Sequence, residues 1–171
     1  MNITADLVKT VRERTNAGIM DCKKALEEAK GDIEKAIEIL RKQSIAAGIA
    51  LSEKRSDKQP SQGLVECYIH AGGRIAAMVE VNCETDFVAR TDVFKELAHT
   101  LAMQVAAMSP RFVGYDVPEK LDGKLEEVSL LHQLYIRDPS KTVKDLVAEA
   151  TAKVGEKVIV RRFARFELGE Q

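Results

Sequence analysis

The cysteine and histidine side chains are the groups in this sequence that most often carry out covalent or metal chemistry. They are Cys22, Cys67, Cys83, His70, His99 and His132. The cysteines and histidines do not have the spacing of a zinc site, and no serine, cysteine and histidine combine in a nucleophile motif. The pattern predicts a protein that is not an enzyme and that needs no cofactor and no metal ion. A site assembled from residues far apart in the sequence is the alternative that this pattern leaves open.

A second candidate for function is the polar and aromatic stretch at residues 79–90. The strand-like run Val79–Val81 breaks into a polar corner that ends in Thr85-Asp86-Phe87-Val88, and an amphipathic helix pattern follows. A strand end, a corner and a helix together form a rigid mount for projecting side chains. From the residues alone, the commoner arrangement is an aspartate near the positive end of a helix dipole and a phenylalanine docked in the core. Projection of the pair from the surface is the other interpretation.

The last strand-like run interleaves Arg161, Arg162 and Arg165 with Phe163 and Phe166. A sheet that displays basic and aromatic side chains can stack nucleic-acid bases. However, a strand exposes only alternate positions, so Phe163 shares a face with two of the arginines and Phe166 lies on the other face. A solvated sheet edge with buried rings is favoured over RNA binding, and we expect no direct nucleic-acid contact.

The composition indicates a compartment and excludes some classes of partner. The chain has 171 residues, of which 45% are hydrophobic, 31% charged and 5% aromatic, and its formal net charge is −1. This balance gives no general attraction to nucleic-acid phosphates. No signal peptide is recognisable, no apolar run approaches the roughly 20 residues needed to cross a bilayer, and the odd number of cysteines fits a reducing compartment. We expect a soluble cytoplasmic protein that does not contact a membrane.

Residues 1–50 are predicted to form a module of three short helices that share a small core. Thr4 is a candidate N-cap, Gly31 a candidate C-terminal residue of the second helix, and Asp32 a candidate cap of the third. Residues 44–50 extend the pattern of the third helix. The polar, proline-containing residues 51–62 are predicted to be a linker.

Residues 63–171 are predicted to form an α+β core, in which a three-stranded antiparallel sheet packs against helices. Its predicted elements are a hairpin of Leu64–His70 and Arg74–Val81, a helix over Phe94–Ala106, a short helix from Pro118 to Val128, a helix from Val143 to near Gly155, and a strand over Lys157–Leu168. The long helix is capped by Thr91 or Asp92 and ends near Pro110. The glycines of Ala71-Gly72-Gly73 supply the positive φ of the hairpin turn.

The N-terminal module resembles the ubiquitin-associated fold, which binds other proteins through an exposed loop and helix. The resemblance rests on Gly18-Ile-Met-Asp and on Ala29-Lys-Gly-Asp-Ile-Glu-Lys-Ala36. Met20 and Lys23 are the exposed candidates for partner binding, because the neighbouring apolar residues are needed inside. Met20 as a cap on the small core is the alternative.

The whole chain closely resembles the elongation factor Ts family. The motifs that carry the resemblance are Leu7-Val-Lys-x-x-Arg12-Glu-x-Thr15-x-Ala-Gly18, Met20-Asp-Cys-Lys-Lys-Ala-Leu26, Gly31-Asp-Ile-Glu-Lys-Ala-Ile37, Glu80-Val-Asn-Cys-Glu-Thr-Asp-Phe-Val-Ala-Arg90, Ala106-Ala-Met-Ser-Pro110 and Gly155-Glu-Lys-Val-Ile-Val-Arg-Arg-Phe163.

This resemblance implies a translation elongation factor that exchanges the nucleotide of elongation factor Tu. Met20 and Lys23 then contact the G domain of elongation factor Tu carrying GDP. Residues Thr85 to Val88, above all Asp86-Phe87, insert into that domain and displace its Mg²⁺, so that GDP leaves. The alternative functions are a ubiquitin-associated-type adaptor or nascent-chain chaperone without exchange activity, and an RNA-binding protein.

The chain is shorter than the longer family members, which carry a duplicated core, a projecting coiled coil and a C-terminal module. It resembles the short members, in which two chains complete the core. A homodimer is therefore expected, with residues 63–171 as the dimerisation domain. The sheet edge and the Phe94–Ala106 helix are the candidate interfaces.

Overall fold

The computed structural model describes residues 3–118, 120 and 122–170, and it divides into two compact units, Met1–Ala47 and Gly48–Gln171. The α-helices are α1 (Ala5–Thr15), α2 (Ile19–Glu28), α3 (Ile33–Lys54), α4 (Asp86–Ala89), α5 (Asp92–Met108), α6 (Leu125–Val128) and α7 (Val143–Val154). The strands are β1 (Gln62–Ile69), β2 (Ile75–Cys83), β3 (Leu134–Tyr135), β4 (Asp138–Thr142) and β5 (Ile159–Glu167). No helix in these described ranges is long and apolar enough to cross a membrane.

The first unit contains α1, α2 and most of α3, and the predicted end signals are confirmed. The Thr4 hydroxyl accepts a hydrogen bond from the Leu7 amide at 3.4 Å, and the Asp32 carboxylate accepts one from the Lys35 amide at 3.1 Å. The chain turns after α2 through Lys30 and Gly31, whose φ angles are 53° and 84°. Helices this short are not stable alone, so their shared apolar core stabilises them. That core consists of Val11, Cys22, Ala25, Leu26, Ala29, Ala36 and Leu40.

The second unit is built on an antiparallel sheet with strand order β1-β2-β5, which confirms the predicted α+β core. The core face of β2 carries Val79 and Val81, which are fully buried against α5. The apolar stripe predicted for α5 is confirmed, with Phe94 and Leu101 at its centre and each 0% exposed. Thr91, rather than Asp92, caps this helix, since its hydroxyl accepts a hydrogen bond from the Phe94 amide.

A bulge interrupts the regular alternation that the sequence predicts for β5. Val81 lies opposite Val160, whereas Glu80 lies opposite Arg162, so that Arg161 is the additional residue. Because of this extra residue, the buried Val160 and the partly buried Phe163 both pack on the core, although they are three positions apart. The hairpin turn between β1 and β2 has the predicted positive φ angles, 87° at Gly72 and 66° at Gly73.

Two helix boundaries differ from the sequence prediction. Helix α3 continues through residues 51–54, which were assigned to the linker, because their side chains favour a helix and the first proline comes only at Pro60. The prediction of a helix beginning at Pro118 is wrong, since α6 begins at Leu125, just after Gly123 with a φ of 107°. Positions 119 and 121 of that predicted helix lie outside the described residues.

The hairpin of β3 and β4 was not predicted. β3 has only two residues, which is too short to show an alternation, and β4 contains a proline, which is uncommon inside strands. Helix α7 begins with a reciprocal capping box, in which the Thr142 hydroxyl accepts a hydrogen bond from the Asp145 amide and the Asp145 carboxylate accepts one from the Thr142 amide.

Gly48 permits the close approach of α3 to α7 within the second unit. A Cβ at this position would lie 1.9 Å from the carbonyl oxygen of Ala148, which is backbone and cannot rotate away. Intrinsic helix propensity favours alanine over glycine by about 1 kcal/mol, so propensity alone predicts that Gly48→Ala stabilises the protein. We expect the opposite sign, a loss of about 2 kcal/mol in the free energy of unfolding, because overpacking outweighs propensity.

Urea unfolding of Gly48→Ala measures this difference, and Gly18→Ala is the control. A Cβ at position 18 meets only the movable carboxylate of Asp21, at 2.9 Å. A Gly48→Ala protein as stable as the wild type would show that the approach of the two helices is not constrained by this glycine.

Candidate functional site

The polar corner between β2 and α4 is held by its own side chains. The Thr85 hydroxyl is the N-cap of α4 and accepts a hydrogen bond from the Val88 amide at 3.4 Å. The buried Cys83 thiol donates to the Thr85 carbonyl at 3.1 Å. Burial, together with the negative charge of Glu156, raises the pKa of Cys83 to about 11. This thiol is therefore neutral at physiological pH and is not a nucleophile.

Glu156 is the main partner of the corner from another part of the chain. Its Oε2 accepts hydrogen bonds from the amides of Glu84 and Thr85, at 3.1 and 2.9 Å. Its Oε1 accepts a hydrogen bond from the Thr85 hydroxyl at 2.6 Å. One carboxylate therefore binds three consecutive donors of the corner.

Glu84 makes the reverse contact, toward the segment that carries Glu156. Its carboxylate accepts a hydrogen bond from the Lys157 amide at 2.8 Å and forms an ion pair with Arg55. Both contacts hold the pKa of Glu84 below its ordinary value of 4.5, and the hydrogen bond from the Lys157 amide has the larger effect. We refer to Glu84 and Glu156 together as the carboxylate clasp.

The predicted pair Asp86-Phe87 lies on the first turn of α4. The Asp86 carboxylate is in that turn as predicted, and it forms an ion pair with Arg90 at 2.7 Å. The expectation that Phe87 docks in the core is wrong, since its side chain is 77% exposed. Val88 and Ala89 pack toward the core instead, so that α4 is anchored by these two residues and presents Phe87 outward.

The N-terminal residues predicted to bind a partner lie on the exposed face of α2. Met20 is 62% exposed and Ile19 56% exposed, so that Met20 does not cap the small core. The Lys23 ammonium group lies 3.9 Å from the Glu27 carboxylate and remains half exposed. Sequence reasoning missed Ile19, although its position beside Met20, outside the buried spacing of α2, is the signal that marks it.

Two of the three arginines of β5 form ion pairs with acidic residues, whereas Arg161 is exposed and forms no ion pair with the described residues. Arg162 forms an ion pair with Glu80 at 2.6 Å, and Arg165 forms one with Glu167 at 2.6 Å. Phe163 is partly buried against the core, while Phe166 is 72% exposed. The two ion pairs leave less charge for phosphates, which is consistent with a solvated edge. The expectation that both rings are buried is wrong for Phe166.

The outer face of the sheet, opposite α5, is also apolar. Its apolar residues are Val65, Cys67 and Ile69 of β1, Ala76 and Met78 of β2, and Ala164 and Phe166 of β5. The charged pair Glu80 and Arg162 lies on the same face, in the row of Val65. Ile69 is 69% exposed and Met78 is 49% exposed. This outer face is not among the predicted sites, although β1 carries apolar residues on both of its faces, which is the sequence signal for it.

The described residues contain no group of three or more His, Cys, Asp or Glu side chains that could hold a metal ion. The surface features are instead those of a protein that binds other proteins: an exposed aromatic on a fixed corner, an exposed apolar helix face and an apolar sheet face.

Comparisons with known proteins agree and are specific. The family model described as Elongation factor TS matches residues 1–121 and 117–170. The chain is 48% identical to Elongation factor Ts of Thermotoga neapolitana, covering 100% of both chains, and 50% identical to that of Moorella thermoacetica, covering 98% of this chain and 96% of the relative. These matches identify a translation elongation factor. Within that class, the chain belongs to the elongation factor Ts family.

This chain is shorter than the relatives that it matches. The alignment with the Thermotoga neapolitana protein spans 200 positions, whereas this chain has 171 residues, so the relative contains residues without a counterpart here. The two matches to the family model overlap at residues 117–121. The match to the family model is therefore divided in the segment between α5 and α6.

Glu84 makes the stability of the protein dependent on pH. Because the pKa of Glu84 is lower in the folded protein than its ordinary 4.5, its contribution to stability is complete above about pH 4.5 and is lost as the pH falls through the lower, folded value. We expect Glu84→Gln to lower the free energy of unfolding by about 1 kcal/mol at pH 7, since a hydrogen bond to a charged group is replaced by a neutral one. This deficit shrinks toward zero below about pH 4.5.

Urea unfolding between pH 7 and pH 3 measures this dependence. Glu126→Gln, at an exposed position of α6, is the control and keeps wild-type stability at pH 7. A deficit of Glu84→Gln that is the same at pH 7 and pH 3 would contradict a role of the ionised carboxylate.

Proposed function

We propose that this chain is a guanine-nucleotide exchange factor for elongation factor Tu. It binds the G domain of elongation factor Tu in the GDP form, disturbs the binding of Mg²⁺ and of the phosphates, and so promotes release of GDP and its replacement by GTP. The chain itself carries out no covalent chemistry. The observation that carries the proposal is the side chain of Phe87, 77% exposed on a corner fixed by hydrogen bonds from three sides.

The physical basis of the exchange is the strict geometry of Mg²⁺. This ion requires near-ideal octahedral coordination and neutralises the phosphates of the nucleotide, so that a small displacement costs the nucleotide much of its affinity. Thr85, as the cap, and Val88, as the anchor, support the projecting Asp86 and Phe87. By linkage, the exchange factor weakens GDP binding by the same factor by which GDP weakens binding of the exchange factor.

The exposed face of α2 supplies a second contact in this proposal. Met20 offers an apolar side chain for the partner, and Lys23 offers a positive charge next to it. A flexible methionine adapts well to an apolar surface, whereas the lysine orients the complex. We assign α2 to docking and the corner to nucleotide release.

Release of fluorescent GDP from elongation factor Tu tests this function. The wild-type chain is expected to accelerate release. Phe87→Ala lowers the maximal rate about 30-fold, since a central aromatic contributes about 2 kcal/mol or more to an interface, and Asp86→Ala lowers it about tenfold. Met20→Ala and Lys23→Ala raise the half-saturating concentration and leave the maximal rate near that of the wild type.

Tyr115→Ala is the matched control for Phe87→Ala, because Tyr115 is another aromatic with 67% exposure. It is expected to retain wild-type exchange. A wild-type chain that binds elongation factor Tu without accelerating GDP release would overturn the exchange function and favour an adaptor. Full activity of both Phe87→Ala and Asp86→Ala would remove the corner from the mechanism.

We also propose that two chains pair through the outer face of the sheet. α5 does not fit as the interface, because its apolar residues are buried against its own sheet. The outer face instead carries a row of Ile69, Ala76 and Phe166 beside a row of Cys67, Met78 and Ala164. Large apolar side chains exposed together in this way mark an association surface. A two-fold axis makes such a face complementary to itself.

Sedimentation at micromolar concentration tests the homodimer. Wild-type protein is expected to sediment as a dimer, and Met78→Glu as a monomer, because the substitution leaves a charge without a partner in an apolar interface. Leu134→Glu, at an exposed position outside the sheet face, is the control and remains dimeric. A wild-type chain that sediments as a monomer at this concentration would contradict the pairing.

A further inference from the structure

We propose that Glu156 is a positioning residue for nucleotide exchange: its carboxylate fixes the backbone of Glu84 and Thr85, so that Phe87 meets elongation factor Tu in a single orientation. The inference rests on the proposed exchange function. Glu156 lies 71 residues from Thr85 along the chain and touches neither Asp86 nor Phe87 through a hydrogen bond. It acts on them through the backbone of the corner.

The first support is the number of donors that Glu156 satisfies. The amides of Glu84 and Thr85 lie where β2 ends and α4 has not begun, so that neither the strand ladder nor the helix provides their acceptor. Both amides donate to Oε2 of Glu156, while the Thr85 hydroxyl donates to Oε1. Without this carboxylate, two partly buried amides have no acceptor in the described structure.

The second support is that the contact is reciprocal. The carboxylate of Glu84 accepts a hydrogen bond from the amide of Lys157, the residue after Glu156. Each carboxylate of the clasp therefore accepts a hydrogen bond from a backbone amide at or next to the other glutamate. Lys157 adds a further link, since its ammonium group donates to the carbonyls of Arg55, Ser56 and Lys58. Several hydrogen bonds thus hold the segment that carries Glu156 in place.

The third support is that α4 cannot orient Phe87 by itself. The helix has four residues, and so short a helix is not stable alone. The Phe87 ring is exposed and has no packing to hold it, and Asp86 bonds only to Arg90 within the same short segment. The direction of Phe87 therefore depends on contacts at both ends of its segment: Val88 and Ala89 pack on the core, and Glu156 holds the backbone at Thr85. A contact ordered in advance does not need to be ordered after docking, and this preserves the rate of GDP release.

The geometry of the turn explains why position 156 reaches the corner. Gly155 ends α7 with a φ of 70°, a conformation that suits glycine, and the chain then reverses toward β5. Glu156 follows immediately and lies beside the end of β2, because β5 pairs with β2 and Ile159 is opposite Asn82.

The experiment measures GDP release from elongation factor Tu as a function of the concentration of the full chain. Glu156→Ala is expected to lower the maximal acceleration about tenfold, since the corner must then be ordered during binding. The half-saturating concentration stays within about threefold of the wild type, because docking through α2 is retained. Glu156→Gln restores part of the rate, since its amide oxygen can accept from the two backbone amides.

Two further variants make the test specific. In a Phe87→Ala background, adding Glu156→Ala is expected to cause no additional loss, because the residue acts through Phe87. A role limited to overall stability would give the same loss in both backgrounds. Glu126→Ala removes a carboxylate from an exposed position of α6 and is expected to retain the wild-type rate.

The outcomes separate this inference from the function on which it rests. If the wild-type chain does not accelerate GDP release, the proposed function fails. If the wild type is active, Phe87→Ala is impaired and Glu156→Ala has the wild-type rate, only the role of Glu156 is overturned. Where Glu156→Ala does not fold by circular dichroism, Glu156→Asp decides: it keeps the charge but is one methylene shorter, and a wild-type rate in this variant overturns the inference.

Discussion

The second unit depends on the central position of β2 in its sheet. This strand is hydrogen-bonded to β1 on one side and to β5 on the other, and its core face packs against α5. A strand paired on both edges cannot shift its register without breaking two ladders at once, and a shift of one residue would turn its buried valines outward. The point at which β2 ends is therefore fixed, and the corner with Thr85 begins at that point. A side chain at this corner is therefore attached to a backbone that the sheet holds rigid.

Local sequence patterns were sufficient for the elements that bury one clear face. The stripe of α5, the caps Thr4 and Thr91, and the paired glycines of the hairpin each depend on residues within a few positions of one another. The interactions that form these features are local, so the spacing of residues in the sequence is enough to predict them. The helix predicted from Pro118 failed because a proline permits a helix start without requiring one, and Gly123 opposes continuation of the helix.

The candidate site, too, was predicted only in part from the sequence. The sequence located the corner and identified its family resemblance, but local rules assigned Phe87 to the core, because they cannot register that Val88 and Ala89 already anchor α4. The partnership of Glu84 with the segment at 156–157 also lay beyond sequence patterns, since it joins residues 73 positions apart and depends on the pairing of β5 with β2. The bulge at Arg161 likewise hid which residues of the last strand face inward, because one extra residue reverses the alternation.

The three cysteines differ in a way that connects association with chemical durability. Cys22 and Cys83 are buried, whereas Cys67 is exposed in the middle of the outer sheet face. A separate chain thus offers oxidants and alkylating reagents one accessible thiol. Pairing of two outer faces would cover that thiol, and association depends on protein concentration. The rate at which Cys67 is oxidised then depends on how much of the protein is present: dilution exposes the sulfur and abundance protects it.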